Sequence, residues 1–198
     1  KSQLAADPRE AKPAASLVKA LSSVVRLMGA PPLAKVSSCW VSSLARSAAS
    51  MFASKRLLPS IRGAQRVIWN VRRLIDGAKT LGVPVQATEQ YPRGLGPTVA
   101  VLAERLGAIP EKLTFSCRGC GTLFETLAQG GRPKILVVGA ETHVCVQQTV
   151  LDLLSAGFRV YVAADAVGSR YELDYRFALE RMDSAGAALT TTEAALFE

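Results

Sequence analysis

The sequence has little of several residue types, and each shortage excludes a class of protein. It contains a single histidine, His143, which excludes a metal site built from several histidines. No stretch approaches the roughly 18–20 uninterrupted apolar residues that a membrane-spanning helix needs, so no membrane partner is expected. Acidic residues are missing altogether from Ala11 to Ile75.

The charge is unevenly distributed along the chain. Residues 1–75 contain 13 Lys/Arg and 2 Asp/Glu, which give a net charge of +11. Residues 76–198 contain 11 Lys/Arg and 14 Asp/Glu, which give a net charge of −3. The overall charge of +8 therefore comes from the N-terminal part. The bulk of the chain does not have the charge of a nucleic-acid-binding domain.

Residues 1–56 are rich in Ala, Ser, Lys and Arg. The spacing of apolar residues in 15–28 predicts a short amphipathic helix that ends at Gly29. Three interpretations of this N-terminal extension stay open: a mitochondrial transit peptide, a disordered basic tail and a mispredicted start of the gene. The expected location is intracellular, either mitochondrial or cytoplasmic.

The chain has four cysteines, Cys39, Cys117, Cys120 and Cys145, which do not suggest the disulfide framework of a small secreted protein. Reduced thiols are expected instead. The Cys117-x-x-Cys120 spacing fits half a zinc site or a redox pair, but no second pair of Cys or His accompanies it. Two ordinary thiols near a loop are the favoured interpretation.

From Pro59 onward, helical and strand patterns alternate. Helices are predicted near residues 61–78, 98–107, 122–128, 144–156 and 173–185, and strands near 83–88, 112–115, 135–139, 159–164 and 187–190. This alternation indicates an α/β domain over residues 57–198, with a parallel sheet between helices. Ligands bind beyond the carboxyl ends of such strands. The segments expected around one crevice are 88–90, 114–116, 140–145 and 165–170.

Cys145 follows the most apolar predicted strand, at the start of a helix. The helix dipole and unpaired backbone N–H groups there are expected to lower the pKa of the thiol and to stabilise an oxyanion. Cys145 is therefore a candidate nucleophile, although the pattern fits a small core residue equally well. A capping or packing role is favoured for His143, because side chains two residues apart at such a turn diverge.

Several segments together resemble the isochorismatase-like cysteine hydrolase superfamily, in its branch of isochorismatase domain-containing proteins. They are Thr88-Glu-Gln-Tyr-Pro-Arg-Gly-Leu-Gly-Pro-Thr98, residues 139–154, and Asp165-Ala-Val-Gly-Ser-Arg170. Some members of this branch carry the label of mitochondria-associated ribonuclease. The resemblance implies a three-layer α/β/α fold with a Rossmann-like, mostly parallel sheet, and it implies a homo-oligomer.

The resemblance also implies an Asp–Lys–Cys triad that hydrolyses a small amide, or a related carbonyl substrate, through a thioester on the cysteine. Cys145 matches the nucleophile, and Lys112 matches the lysine in the sequence Lys-Leu-Thr-Phe-Ser. A cis peptide is expected near Ala140–Glu141. The resemblance implies no metal or cofactor, and the substrate-binding and oxyanion residues that it suggests are Val144, Ala140, Glu141, Glu89 and Gln90.

One departure from the family pattern is serious. Family members have a strand that ends in Asp-x-Gln about seven residues before the proline matched by Pro59, whereas this chain has Phe52-Ala-Ser54 there. Residues 44–52 are also a poor strand sequence, which puts the central strand in doubt. The enzyme is therefore expected to be impaired unless Glu89 or Glu141 substitutes for the aspartate.

Two other acidic residues are expected to have structural roles. Asp165 is predicted to brace the following loop through Ser169 and Arg170. Asp152 is predicted to lie on a solvated helix face.

Three functions remain under consideration. The first is an impaired hydrolase with a small-molecule substrate. The second is a ribonuclease or RNA-binding protein that contacts phosphates through its basic N-terminal segment, although that segment has few aromatic residues for stacking on bases. The third is a non-catalytic oligomeric paralogue, which the missing aspartate favours.

Overall fold

The computed structural model describes residues 47–51, 54–129 and 133–198 of the chain. The described strands form one six-stranded sheet in the order β3-β2-β1-β4-β5-β6, and all neighbouring strands are parallel. The strands are β1 (Ser47–Met51), β2 (Val85–Gln90), β3 (Glu111–Lys112), β4 (Lys134–Ala140), β5 (Arg159–Gly168) and β6 (Ala188–Thr190). This sheet confirms the predicted α/β class.

Seven α-helices lie among the described residues. They are α1 (Ala64–Thr80), α2 (Pro92–Leu95), α3 (Ala100–Ala103), α4 (Gly121–Gln129), α5 (Gln147–Ser155), α6 (Glu172–Ser184) and α7 (Thr192–Phe197). Short 3-10 helices occupy Leu58–Ser60 and Cys117–Gly119, and a π-helix occupies Thr142–Val146. No helix of the described part is long and apolar enough to cross a membrane.

Two hydrophobic cores lie on opposite faces of the sheet, because successive side chains of a strand point to opposite sides. In β4, Ile135 and Val137 belong to one core, which includes residues of α4, α5 and α6. Leu136 and Val138 belong to the other core, which includes residues of α1 and against which α7 packs. The fold therefore has three layers, with a sheet between two layers of helices.

Strand β1 lies at the centre of the sheet, so the doubt about a central strand was wrong. Its backbone pairs with β2 on one side, as in Ala48 with Val85, and with β4 on the other, as in Ala48 with Leu136. Pairing on both sides satisfies the backbone of a segment with weak strand propensity, since the measured preference for strands depends strongly on context. The sheet thus includes residues assigned from the sequence to the N-terminal extension.

Several sequence predictions differ from the structure, and some cannot be compared with it. The helix predicted over 98–107 is the single turn α3, and the strand predicted over 112–115 stops at Lys112. Strand β5 runs on to Gly168, with a register shift opposite Val137 and Gly139. The helix predicted at 15–28, together with Cys39 and residues 52–53, lies outside the described residues.

The strand order determines where a ligand site belongs. The chain builds the sheet outward from β1 to β3 and then crosses to the other side of β1 with β4. In doubly wound sheets of this order, ligands bind at that reversal, beyond the carboxyl ends of the strands. Cys145 follows the carboxyl end of β4, so the predicted nucleophile lies on the side of the sheet where ligands bind.

Candidate active site

Cys145 lies in the π-helix that follows β4, and 8% of the residue is exposed. A single π-turn of this kind often marks a functional site. The peptide bond between Ala140 and Glu141 is cis, as the resemblance implied. Within the turn, the N–H groups of Val144 and Val146 donate to the Glu141 carbonyl at 3.2 and 3.1 Å. The Val144 N–H is therefore already used by the turn.

Lys112 is the last residue of β3, and 4% of it is exposed. Its ammonium nitrogen donates to Gln90 Oε1 at 2.6 Å, to the Phe115 carbonyl at 2.7 Å and to the Thr114 carbonyl at 3.0 Å. An ammonium group has three N–H donors, so these bonds use all of them. The bonds to the Thr114 and Phe115 carbonyls hold the loop that follows β3.

Gln90 joins the two predicted catalytic residues. It is the last residue of β2 and is in register with Lys112 across the strand pair. Its Oε1 accepts from Lys112 and also from the Cys145 thiol, with a distance of 4.0 Å between sulfur and oxygen. Its Nε2 donates to the Leu113 carbonyl at 2.9 Å. One amide thus contacts the thiol, the ammonium group and the loop after β3.

Burial raises the pKa of the Cys145 thiol above its ordinary value. The Lys112 cation and a backbone hydrogen bond from Glu141 act in the opposite direction, whereas the nearby Cys117 and the Glu141 carboxylate add to the increase. The expectation that the strand–helix junction lowers this pKa was therefore wrong. Desolvation of a thiolate outweighs the favourable dipoles when the sulfur is this deeply buried.

The Glu141 carboxylate is buried and faces the loop between β5 and α6. Its Oε1 accepts from Arg170 Nε at 2.9 Å, and its Oε2 lies 3.5 Å from His143 Nδ1. His143 Nδ1 is also 3.0 Å from Ser169 Oγ, and its Nε2 lies 3.8 Å from Asp174 Oδ2. These contacts support the packing role predicted for His143, and they hold the turn that carries Cys145.

Neither Lys112 nor Cys145 makes a hydrogen bond or an ion pair with a carboxylate among the described residues. Glu89, one of the two proposed substitutes, accepts the Thr98 N–H at 3.0 Å and so braces the loop after β2. Glu141, the other proposed substitute for the aspartate, forms an ion pair with Arg170. The structure thus brings together Cys145, Lys112 and Gln90, and no carboxylate of the described residues bonds to the cysteine or the lysine.

Two acidic residues have partners that the sequence did not indicate. Asp165 Oδ1 accepts the backbone N–H of Thr192 at 2.7 Å and its hydroxyl at 2.9 Å, so it braces the start of α7 and not Ser169 and Arg170. Asp152 is half-buried, and its Oδ2 accepts from Ser116 Oγ at 2.5 Å. Both predictions for these carboxylates were wrong.

Cys117 and Cys120 are buried, and burial raises the pKa of both thiols. Cys117 Sγ lies 3.3 Å from Thr88 Oγ1, and its N–H donates to Thr149 Oγ1 at 2.9 Å. No group of three or more His, Cys, Asp or Glu side chains in the described ranges is arranged to hold a metal ion. The spacing of these cysteines gave no sign that Cys117 lies near enough to Cys145 to influence its pKa.

A cavity of about 700 Å³ lies between the π-helix with α5 on one side and α6 on the other, and Cys145 is not among the residues that line it. Its lining includes His143, Leu151, Phe177 and Arg181. Neither Lys112 nor Gln90 contributes to it.

Comparison with known proteins agrees with this architecture. A family model described as the isochorismatase domain matches residues 48–194. Isochorismatase domain-containing protein 1 of Danio rerio is 38% identical over 149 residues, which are 73% of this chain and 51% of that protein. The chain therefore spans about half the length of this relative.

Two solved structures are similar to this fold. The MAR1 ribonuclease of Caenorhabditis elegans has a TM-score of 0.72 and 40% identity, covering 78% of this chain and 81% of that one. The YcaC gene product of Escherichia coli is described as an octameric hydrolase of unknown specificity. It has a TM-score of 0.69 and 24% identity, and the match covers 77% of this chain and 78% of that one. The second likeness concerns the fold alone. Because the family model covers most of the chain, the protein belongs to the isochorismatase domain family.

Proposed function

We propose that the protein is a cysteine-dependent hydrolase of small amides or related carbonyl compounds, with Cys145 as the nucleophile and Lys112 as its cationic partner. The observation that supports this most strongly is the contact of both side chains with the same oxygen of Gln90. Both lie at or beyond the carboxyl ends of strands of one parallel sheet, which is where such folds bind ligands.

The reaction divides into two steps. The Cys145 thiolate attacks the substrate carbonyl carbon and forms a C–S bond, and the C–N bond then breaks as the amine leaves with a proton. Water attacks the resulting thioester, which releases the carboxylic acid and regenerates the thiol. The Glu141 backbone, which lowers the pKa of the Cys145 thiol through a hydrogen bond, is a candidate oxyanion donor.

The proposed enzyme is slow, because no carboxylate of the described residues contacts the thiol. Loss of general base catalysis typically lowers a rate by about 10²–10⁴-fold. Burial raises the pKa of Cys145, so the thiolate is scarce at neutral pH and its fraction grows as the pH rises toward that pKa. Hydrolysis should therefore accelerate through the alkaline range.

Release of ammonia from a panel of small primary amides tests the proposal. Full-length protein, Cys145→Ala and the matched control Cys120→Ala would be compared at pH 7 and pH 9. We expect hydrolysis that increases with pH in the full-length protein and in Cys120→Ala. In Cys145→Ala, hydrolysis should disappear. Activity that survives in Cys145→Ala would contradict the proposal.

A second candidate, ribonuclease activity, is supported by the 40% identity to the C. elegans MAR1 ribonuclease. Cleavage of an end-labelled RNA by the full chain at physiological salt would support it. Salt-sensitive binding without cleavage would indicate only that the N-terminal segment is basic.

The third candidate, a non-catalytic paralogue, is supported by the lack of a carboxylate in contact with Cys145 or Lys112 among the described residues. Phe52→Asp, which restores the residue expected from the family pattern, distinguishes it from an impaired enzyme. Hydrolysis that appears only in this variant would favour the paralogue.

We also propose a homo-oligomer, since the E. coli YcaC structure is described as octameric. Light scattering coupled to size-exclusion chromatography measures the assembly directly. A monomer at micromolar concentration would contradict this proposal.

A further inference from the structure

We infer that Gln90 is a positioning residue that keeps Cys145 unreactive until a substrate binds, by holding it as a neutral thiol and by occupying an N–H donor of Lys112. The inference deepens the proposed function and rests on it in taking Cys145 as the reactive thiol. It concerns how that thiol is controlled before a substrate binds.

The orientation of the Gln90 amide follows from its partners. A lysine ammonium group can only donate hydrogen bonds, so the atom 2.6 Å from Lys112 must be the amide oxygen. The amide nitrogen then donates to the Leu113 carbonyl at 2.9 Å. The amide is therefore held at both ends by the segment that carries Lys112, and its oxygen is directed at the catalytic pair.

This oxygen favours the protonated form of Cys145. An amide oxygen accepts a hydrogen bond from a thiol but does not take its proton, and a partner that bonds the neutral form of an acid disfavours ionisation. A thiolate at 4.0 Å would face the negative end of the amide dipole. The contact therefore stabilises the thiol against the thiolate.

Lys112 is restrained by the same contact. Its three described acceptors, Gln90 Oε1 and the carbonyls of Thr114 and Phe115, use all three N–H donors, so none is directed at the sulfur. The cation stabilises a Cys145 thiolate through space but does not hydrogen-bond to it. An ammonium–thiolate pair requires that the Gln90 bond to Lys112 first be broken.

The test is the pH dependence of iodoacetamide alkylation at Cys145, followed by peptide mass spectrometry on full-length protein. In Gln90→Leu, one Lys112 donor is free to reach the sulfur, and we expect the midpoint of the rate profile to fall by about one pH unit. The rate at pH 7 should then rise by about threefold, since a less basic thiolate is also a weaker nucleophile. In Gln90→Glu, the added negative charge should move the midpoint upward.

Controls separate this role from simple loosening of the site. Gln65→Leu changes an exposed glutamine of α1 and should leave the profile unchanged. If a substitution only loosened the packing around Cys145, the alkylation rate on the alkaline plateau would rise. The midpoint of the pH profile would not move. In Gln90→Leu combined with Lys112→Met, the downward shift should disappear, because it depends on the freed ammonium group.

Failure of the inference and failure of the proposed function give different results. If the midpoints of Gln90→Leu and Gln90→Glu both equal that of the unchanged protein, the inference is overturned, whether or not amides are hydrolysed. If the midpoints shift in opposite directions but no amide is cleaved, the inference stands and the proposed hydrolase does not.

Discussion

Replacing Lys112 by methionine is expected to raise the pKa of Cys145 further. The Lys112 cation is the largest of the influences that favour the thiolate, and only burial has a greater effect on this thiol. Lys112 Nζ lies 2.6 Å and Cys145 Sγ lies 4.0 Å from the same Gln90 oxygen, so the two charges are at most about 6.6 Å apart. At that separation and an effective dielectric constant of about 20, Coulomb's law gives about 2.5 kcal/mol. Because relaxation and water screening reduce this value, we expect the thiol pKa to rise by about one to two units.

The substitution also affects stability. Methionine retains most of the volume of the lysine stem, but the Gln90, Thr114 and Phe115 oxygens lose a donor. Removing a buried charge offsets part of that loss, so a decrease of about 1–3 kcal/mol in the free energy of unfolding is expected. Urea denaturation measures this decrease and shows whether the variant is folded under the assay conditions.

The assay is the rate of Cys145 alkylation by iodoacetamide between pH 6 and pH 10. Lys79→Met, which alters an exposed lysine near the end of α1, is the matched control and should behave like the unchanged protein. A folded Lys112→Met protein whose profile superimposes on that of the control would refute the reasoning. Lys112 would then have no electrostatic effect on the thiol.

Three further predictions concern other parts of the site. Phe52→Asp should raise amide hydrolysis by about 10²–10⁴-fold if the family aspartate is the missing base, and unchanged steady-state rates would contradict this. Arg170→Ala should lower the free energy of unfolding by about 1–2 kcal/mol, because the buried Glu141 carboxylate loses its charged partner, whereas Arg170 itself is half exposed. Urea denaturation measures this decrease, and a variant as stable as the unchanged protein would contradict the prediction. Gly168→Ala should destabilise by about 1–3 kcal/mol, since a Cβ there would lie 3.0 Å from Val67 Cγ2, and an unchanged melting temperature would argue against tight packing.

The α/β class and most elements could be predicted because apolar periodicity reports directly on which faces are buried. The run Ile135–Gly139 predicted β4, and the pattern from 144 to 156 predicted the helix that carries Cys145. Strand β1 was missed because its stability comes from pairing with β2 and β4, which a local pattern does not contain.

The site was only partly predictable. Lys112 was identified from the family pattern alone, since an isolated lysine at the end of a strand carries no local signal. The contact between Gln90 and Lys112 depends on strand register, and the contact between Asp165 and Thr192 joins residues 27 positions apart. The raised pKa of Cys145 follows from burial in three dimensions, which the helix-dipole argument did not include.

The central claim is that Cys145 is a nucleophile toward carbonyl carbon. Brief exposure to p-nitrophenyl acetate, acid quenching and peptide mapping test it most directly. The account predicts an acetyl group on Cys145 that is lost on standing as the thioester hydrolyses. Acetylation confined to lysines, or equal at Cys117, Cys120 and Cys145, would contradict it.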